Sequence, residues 1–330
     1  MKIIITGGAG FIGSHLIEKL IRSKKIKKVI LLDNFEDGNR RNISKIVKHK
    51  KLKIVKSDIT NINSIRKYFK GINAVIHLAA IADIVPSIEH PKNYINTNFN
   101  GTINILESMR HYGVKKIIYA ASSSCYGIPK KYPTDEKEKI SPEYPYAFSK
   151  YVGELAIQHW AKIYKLNYIS LRLFNVYGTR SRTHGAYGAV MGVFLKQKLS
   201  NKPYTIVGDG KQTRDFIYVS DVVNAFEKAL FSNKKNKIYN VGANNPKSIN
   251  ELVSILEGKK IFIPKRPGEP KITYAKIKKI KKELNWRPKI SLLKGIKLLL
   301  KDISYWSNAP LWTPQKISKA TKVWFKFLRK

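Results

Sequence analysis

The chain predicts an α/β protein built on a doubly wound parallel sheet with a smaller C-terminal α/β substrate-binding lobe, and three observations carry that prediction. The first half alternates short apolar runs with amphipathic stretches, the pattern of strands joined by crossover helices. A glycine cluster, Gly7-Gly8-Ala9-Gly10-Phe11-Ile12-Gly13, stands between the first apolar run and the first amphipathic stretch. From about Phe174 the pattern loosens, with loops rich in Gly, Pro, Ser and Asn.

The expected strands are Lys2 to Thr6, Lys28 to Leu32, Leu52 to Lys56, Ala74 to His77, Lys116 to Ala120 and Tyr168 to Leu171. Between them the 3.6-residue period predicts helices at Ile12 to Arg22, Tyr94 to Tyr112 and Tyr146 to Tyr164. Further helices are expected at Ala186 to Leu199, Asp221 to Phe231 and Leu292 to Trp306. This divides the chain into a nucleotide-binding unit, residues 1–175, and a substrate lobe, 176–330. The boundary is soft, because Phe216 to Val219 and Lys237 to Val241 read as strands returning to the main sheet. Ligand-binding and reacting groups should come from the carboxyl ends of strands, where such a sheet opens its crevice.

At 330 residues and 43% hydrophobic content the chain has ample material for a core. No apolar run approaches the ~20 residues of a membrane span, and Met1 leads straight into a strand, so neither span nor signal peptide is expected. The single cysteine, Cys125, excludes an internal disulfide and a cysteine-based metal cluster, which suits a reducing cytoplasm. No metal site is expected. The net charge of +41 invites a nucleic-acid reading. Of the 63 basic residues, however, 51 are lysines spread along the chain, and aromatic residues do not interleave with them as stacking platforms would. Solvated faces account for the charge, and no specific nucleic-acid partner is expected.

Glycine at positions 8, 10 and 13, between a strand and a helix, lets backbone amides approach a pyrophosphate at the helix N-terminus, the fingerprint of a Rossmann unit. Gly7, Gly10, Phe11, Ile12 and Gly13 are its candidate contacts. Asp33 closes the second strand, where an acid should hydrogen-bond the adenosine ribose hydroxyls and repel a 2′-phosphate. NAD is therefore the expected cofactor.

Downstream, Tyr146-Ala147-Phe148-Ser149-Lys150 puts a phenol and an ammonium one turn apart on one helix face. The ammonium, with a nearby nicotinamide cation, should favour the phenolate and lower the tyrosine pKa, so that Tyr146 can take a hydroxyl proton as hydride leaves the same carbon. Ser122-Ser123-Ser124 follows the strand Lys116 to Ala120, placing serine hydroxyls beside the reacting oxygen. Read on their own, Ser123 and Ser124 are as readily parts of a polar turn that satisfies backbone groups.

In combination these segments resemble the extended short-chain dehydrogenase/reductases that act on nucleotide sugars, above all the 4-epimerases typified by UDP-galactose 4-epimerase. The likeness covers nearly the whole chain and includes Asp58-Ile59, His77-Leu78-Ala79-Ala80, Asn98, Phe174-Asn175-Val176-Tyr177-Gly178, Gly208-Asp209-Gly210, Arg214-Asp215-Phe216 and Arg266-Pro267-Gly268-Glu269-Pro270. The resemblance implies cofactor contacts from Asn34, Asp58, Ile59, Leu78, Ala79, Ala80 and Asn98, in addition to Tyr146 and Lys150. It implies Ser122, Tyr146 and Lys150 as the catalytic set. Substrate contacts would come from Ser122, Ser123, Ser124, Tyr146, Asn175, Arg214, Arg266 and Glu269, with Asn175 and the two arginines on the nucleotide diphosphate. Guanidinium forks suit phosphate oxygens independently of any resemblance.

The serine run also separates related activities. Nucleotide-sugar 4,6-dehydratases carry Thr-Asp-Glu where this chain has Ser122-Ser123-Ser124, and decarboxylases keep the Glu, so the carboxylates of elimination are missing. One departure is Ala82-Asp83, where the galactose enzyme has a lysine near its cofactor. Asn175 stands where glucuronate epimerases tend to have threonine, which leans toward a neutral or N-acetylated hexose. What the resemblance implies is C4 epimerisation through a transient 4-keto sugar, in carbohydrate metabolism such as polysaccharide biosynthesis. Its alternatives are a 4-reductase or synthase, a UDP-glucuronate 4-epimerase and a non-catalytic nucleotide sensor. It further implies a homodimer in which the helices Tyr94 to Tyr112 and Tyr146 to Tyr164 form a four-helix bundle.

Overall fold

Six apolar runs become the strands β1 (Lys2–Thr6), β2 (Lys28–Asp33), β3 (Leu52–Lys56), β4 (Ala74–His77), β5 (Lys116–Ser122) and β6 (Asn167–Leu173) in the computed structural model, which describes residues 1–183 and 189–328. Hydrogen bonding orders them β3-β2-β1-β4-β5-β6, all parallel, and Lys237–Val241 adds a seventh strand on β6. Parallel strands with helices on both faces must be apolar on both sides. Successive residues accordingly enter opposite cores: Ile3 and Ile5 join one fully buried cluster and Ile4 the other. The larger cluster continues from the sheet into the second half, taking in Phe194, Phe226, Leu252, Trp286 and Trp306.

The chain reverses its winding between β1 and β4, so the loops after these two strands diverge and leave a crevice at their carboxyl ends. The glycine-rich turn, the end of β2 and the loop after β4 all open into it.

Three elements differ from the sequence expectation. The helix expected over Tyr94 to Tyr112 is entered through a short turn, Pro91–Tyr94, and a π-helical stretch, Ile95–Asn100, before the α-helix Gly101–His111. The wider turn accompanies the inward placement of Asn98, whose side chain bonds a neighbouring loop. The segment Phe216 to Val219 does not return to the main sheet. Only Ile217–Tyr218 is strand, and it pairs with Val176–Tyr177, because both edges of β6 are already taken by β5 and Lys237–Val241. Val219 instead opens the helix Val219–Phe231. The helix expected over Leu292 to Trp306 ends at Lys301 and is followed by a 3-10 turn, Ile303–Trp306. Of the expected Ala186 to Leu199 helix, Val190–Leu199 is seen, and residues 186–188 lie outside the described residues. Among the described residues no helix is long and apolar enough to cross a membrane.

Candidate active site

A cleft of about 770 Å³ runs from the glycine turn, past the ends of β4 and β5, to Arg214 and Arg266 in the second half. At its first end the glycines are there for space. Gly7 has φ +66°, and a Cβ on it would lie 2.7 Å from the Ala79 amide nitrogen. A Cβ on Gly13 would lie 2.3 Å from the Gly7 carbonyl oxygen. Gly10 is the N-cap of the helix Phe11–Ile21 and offers no side chain to its first-turn amides, so those amides are available to an anion.

Asp33 ends β2 at 7% exposure, its carboxylate accepting from Ala9 N and Phe35 N, each at 2.9 Å. Burial pushes its carboxyl above the usual range while the two amides pull it back. Asn34 donates to Asp58 at 3.1 Å, and Asp58 also accepts from the amide and hydroxyl of Thr60 at 2.7 and 2.8 Å. Asn34, Asp58 and Ile59 all line the cleft beyond Asp33. On the opposite wall, the amides of Leu78 and Ala79 donate to Thr6 Oγ1 at 3.2 and 3.1 Å, which holds the Leu78-Ala79-Ala80 loop against the glycine turn.

Behind this wall lies a polar chain that motif reading did not reveal. Thr6 Oγ1 bonds His77 Nδ1 at 2.7 Å, His77 Nε2 bonds Thr102 Oγ1 at 3.0 Å, and that hydroxyl donates to the Asn98 carbonyl at 2.6 Å. Burial, with the Lys150 charge nearby, holds His77 down at about 3, so the ring is a neutral relay of hydrogen bonds. Asn98 is buried behind the same wall. Its amide bonds both backbone groups of Ile81, at 2.9 and 3.0 Å, and Ser149 Oγ at 2.9 Å. It positions the loop that faces the cofactor cradle.

In the middle of the cleft, Ser122 ends β5, and its Oγ lies 2.7 Å from Ser124 Oγ and accepts from Ser124 N at 3.2 Å. Tyr146 and Lys150 occupy the first turns of the helix Pro145–Tyr164 and line the same cleft as Ser122. The ammonium of Lys150 sits 4.3 Å from the centre of the Tyr119 ring. The expected lowering of the tyrosine depends on a nicotinamide cation beside the phenol, and the protein's own groups act in the other direction. Burial pushes the Tyr146 phenol up, Ser122 opposes, and the Asp83 charge adds to the rise. Burial also takes Lys150 down to about 7, against the pull of Glu154, which weakens the cation meant to stabilise a phenolate. Tyr94 stands edge-on to Tyr146 at 6.4 Å, and Tyr144 lies nearly parallel to it at 6.4 Å. Ser123 and Ser124 line the same stretch.

At the far end, Arg214 and Arg266 bind one carboxylate, Glu269, at 2.7 and 3.0 Å. Glu269, which also lines the cleft, joins the two guanidinium groups. Asn175 accepts from Thr273 Oγ1 at 2.7 Å, which leaves its Nδ2 to donate. The Ala82-Asp83 departure also finds its counterpart, since Arg182 pairs with Asp83 and, at 2.8 Å, with Asp37. A cation does face this part of the cleft, brought from another loop. Nothing local in the sequence announces Arg182, Tyr144 or the C-terminal Trp324, which also line the cleft.

The residues present fit NAD. The space in front of Gly7, Gly10 and Gly13 is of the kind a Cβ would fill, helix amides face it, and a carboxylate stands at the ribose position.

Residues 3–242 match the model of the NAD dependent epimerase/dehydratase family. The chain is 43% identical over 303 residues to a putative UDP-glucose 4-epimerase of Methanocaldococcus jannaschii, covering 89% of this chain and 96% of that protein. Among solved structures it is similar to the UDP-glucose 4-epimerase of Thermotoga maritima with UDP-glucose, with a TM-score of 0.85, 33% identity and coverage of 93% and 99%. It is equally similar to the UDP-glucuronic acid 4-epimerase of Bacillus cereus with UDP-glucuronic acid and NAD, with a TM-score of 0.86, 32% identity and the same coverage. With its cradle, its Tyr146–Lys150 helix and its full-length likeness to these enzymes, the chain belongs to the NAD-dependent epimerase/dehydratase family.

Proposed function

We propose that the protein interconverts the C4 epimers of a UDP-linked neutral or N-acetylated hexose. The observation that carries this reading is the placement of Ser122, Tyr146 and Lys150 between a dinucleotide cradle and a two-arginine clamp, in one cleft. Serines, not carboxylates, occupy positions 122 to 124, so the site can move a proton and hydride at one carbon without eliminating water.

NAD, when bound, supplies the acceptor and then the donor of the C4 hydride. Tyr146, as the phenolate that a bound nicotinamide cation would favour, takes the O4 proton and returns it to O4 when hydride comes back to the other face of C4. Ser122, lining the same cleft as the phenol, holds the same oxygen. Lys150, buried beside Tyr119, orients the nicotinamide ribose. Arg214 and Arg266 grip the diphosphate, and Asn175 donates to it, while the sugar turns about its phosphate link. Gly7, Gly10, Phe11, Ile12 and Gly13 hold the pyrophosphate, Asp33 with Asn34 the adenosine ribose, and Asp58 and Ile59 the adenine.

The sugar lean rests on Asn175. Asn175 stands on the cleft where glucuronate epimerases tend to have threonine, which favours a sugar without a carboxylate at C6. We also infer a homodimer. Phe148, Leu155 and Ile163 are 49%, 42% and 52% exposed at spacings of seven and eight along the helix Pro145–Tyr164, an apolar stripe suited to a helical interface. Light scattering of the eluting protein should give twice the chain mass.

The test of function is proton NMR of the purified protein with UDP-glucose, UDP-N-acetylglucosamine and UDP-glucuronate in separate tubes, without added cofactor. A new anomeric signal from the C4 epimer is expected with one of the first two. Reaction only of UDP-glucuronate overturns the sugar assignment, and consumption of NAD(P)H with a 4-keto sugar would indicate a reductase.

A further inference from the structure

The last helix of the described chain, Lys322–Phe327, packs on the short helix Ile84–Glu89 that follows Asp83, and it brings Trp324 to the wall of the cleft. Trp324 is 3% exposed. Its indole Nε1 donates to the Pro267 carbonyl at 2.6 Å, and its ring lies 5.3 Å from the Arg266 guanidinium carbon. On the other side, its ring centre is 6.3 Å from that of Tyr144, which in turn is stacked on Tyr146. The indole therefore touches the loop Arg266-Pro267-Gly268-Glu269 twice, through the backbone of one residue and the side chain of another, and connects that loop to the reaction centre.

Arg266 is a long, flexible side chain whose ordering in one orientation costs conformational entropy. Glu269 holds it from one side at 3.0 Å, and the ring holds it from another. A guanidinium next to an aromatic face in a water-poor site is held more strongly than at the surface. We propose that Trp324 is a positioning residue of the diphosphate clamp: it fixes Arg266 and its loop, so that the C-terminal helix completes the nucleotide-sugar site. This rests on the reading of Arg214 and Arg266 as the diphosphate clamp.

The experiment titrates UDP alone into the NAD-bearing full-length protein by calorimetry, for the parent chain, Trp324→Leu and Trp324→Phe. NAD content and thermal melting are measured on each sample. Leucine keeps apolar bulk but removes both the ring and the donor. It should weaken UDP binding roughly tenfold and raise KM for the nucleotide sugar similarly, with kcat and NAD content little changed. Phenylalanine keeps a ring beside Arg266 and should recover most of the affinity. UDP binding by Trp324→Leu equal to that of the parent overturns the role of Trp324, and so does an equal loss in kcat with KM unmoved. Should Trp324→Leu fail to retain NAD or to fold, Trp324→Phe decides: a loss of UDP affinity as large as that of Arg266→Ala contradicts a role carried by the ring. If the parent chain itself binds no UDP, the nucleotide-sugar reading falls, and this inference with it.

Discussion

Gly13→Ala and Gly10→Ala separate the two jobs of the glycine turn. At Gly13 a Cβ would stand 2.3 Å from the Gly7 carbonyl oxygen and 2.7 Å from the Gly8 Cα, both backbone atoms. Ordinary contact needs about another ångström, and neither atom can swing away as a side chain could. Gly7 cannot retreat either, since its own Cβ direction is already closed by Ala79 N at 2.7 Å. Overpacking of this kind costs about 1–3 kcal/mol, and the backbone contact puts it at the upper end. For a chain of this size that corresponds to a fall in Tm on the order of 5 °C. At Gly10 the nearest atom to a Cβ is the Gly7 oxygen at 3.2 Å, a strain of a few tenths of an ångström that the fold can absorb. That Cβ would instead project where the pyrophosphate must approach. Gly10→Ala should melt within about 2 °C of the parent in the NAD-free state yet retain little NAD, whereas Gly13→Ala should lose both stability and NAD. The assay is differential scanning fluorimetry of stripped protein together with chromatographic measurement of NAD released on denaturation. Stoichiometric NAD in Gly10→Ala, or an unchanged Tm in Gly13→Ala, would refute the reasoning.

Tyr146→Phe removes the proton acceptor and should lower kcat by roughly 10³-fold while bound NAD stays near stoichiometric; full activity by the NMR assay would remove the tyrosine from its role. Glu154→Gln leaves the Arg172 guanidinium, 4% exposed and held at 2.5 Å, without its counter-charge, and should cost about 3–5 kcal/mol in urea unfolding. A change below about 1 kcal/mol would show that the pair is not a structural determinant. Lys150 carries a pH signature in the NAD-free protein. Burial lowers it from 10.5 to about 7, so between these values the unfolded chain binds one more proton than the folded one and stability rises with pH. Below about pH 7 both states are protonated and this contribution is flat at its most unfavourable. Lys150→Met should therefore stabilise the NAD-free protein most at neutral and lower pH, with the gain shrinking toward pH 10. Parallel stability curves for the two proteins across that range would contradict the burial of this ammonium.

The sequence by itself determined the strands β1 to β6, the glycine turn, Asp33 at the end of β2 and the Tyr146–Lys150 face. Each is a short-range matter: a turn needing space within seven residues, a carboxylate ending an apolar run, two side chains one helical turn apart. Ser122 was placed by the same logic, because a strand's carboxyl end in a parallel sheet is where the crevice opens. What only the tertiary structure decided was which polar groups face the cleft and which support it. Asn98 lies in a motif, yet its amide is taken by Ile81, 17 positions away, and by Ser149, 51 away. Glu269 meets Arg214 across 55 residues, and Arg182 meets Asp83 and Asp37 across 99 and 145. Trp324 reaches Pro267 across 57. Periodicity carries no signal for such pairs, because the partners meet only once the sheet and its crossovers have been built. The ionisation of Tyr146 and Lys150 belongs to the same class. Their spacing brings a cation near a phenol, but the folded interior that closes around both opposes the charged form of each.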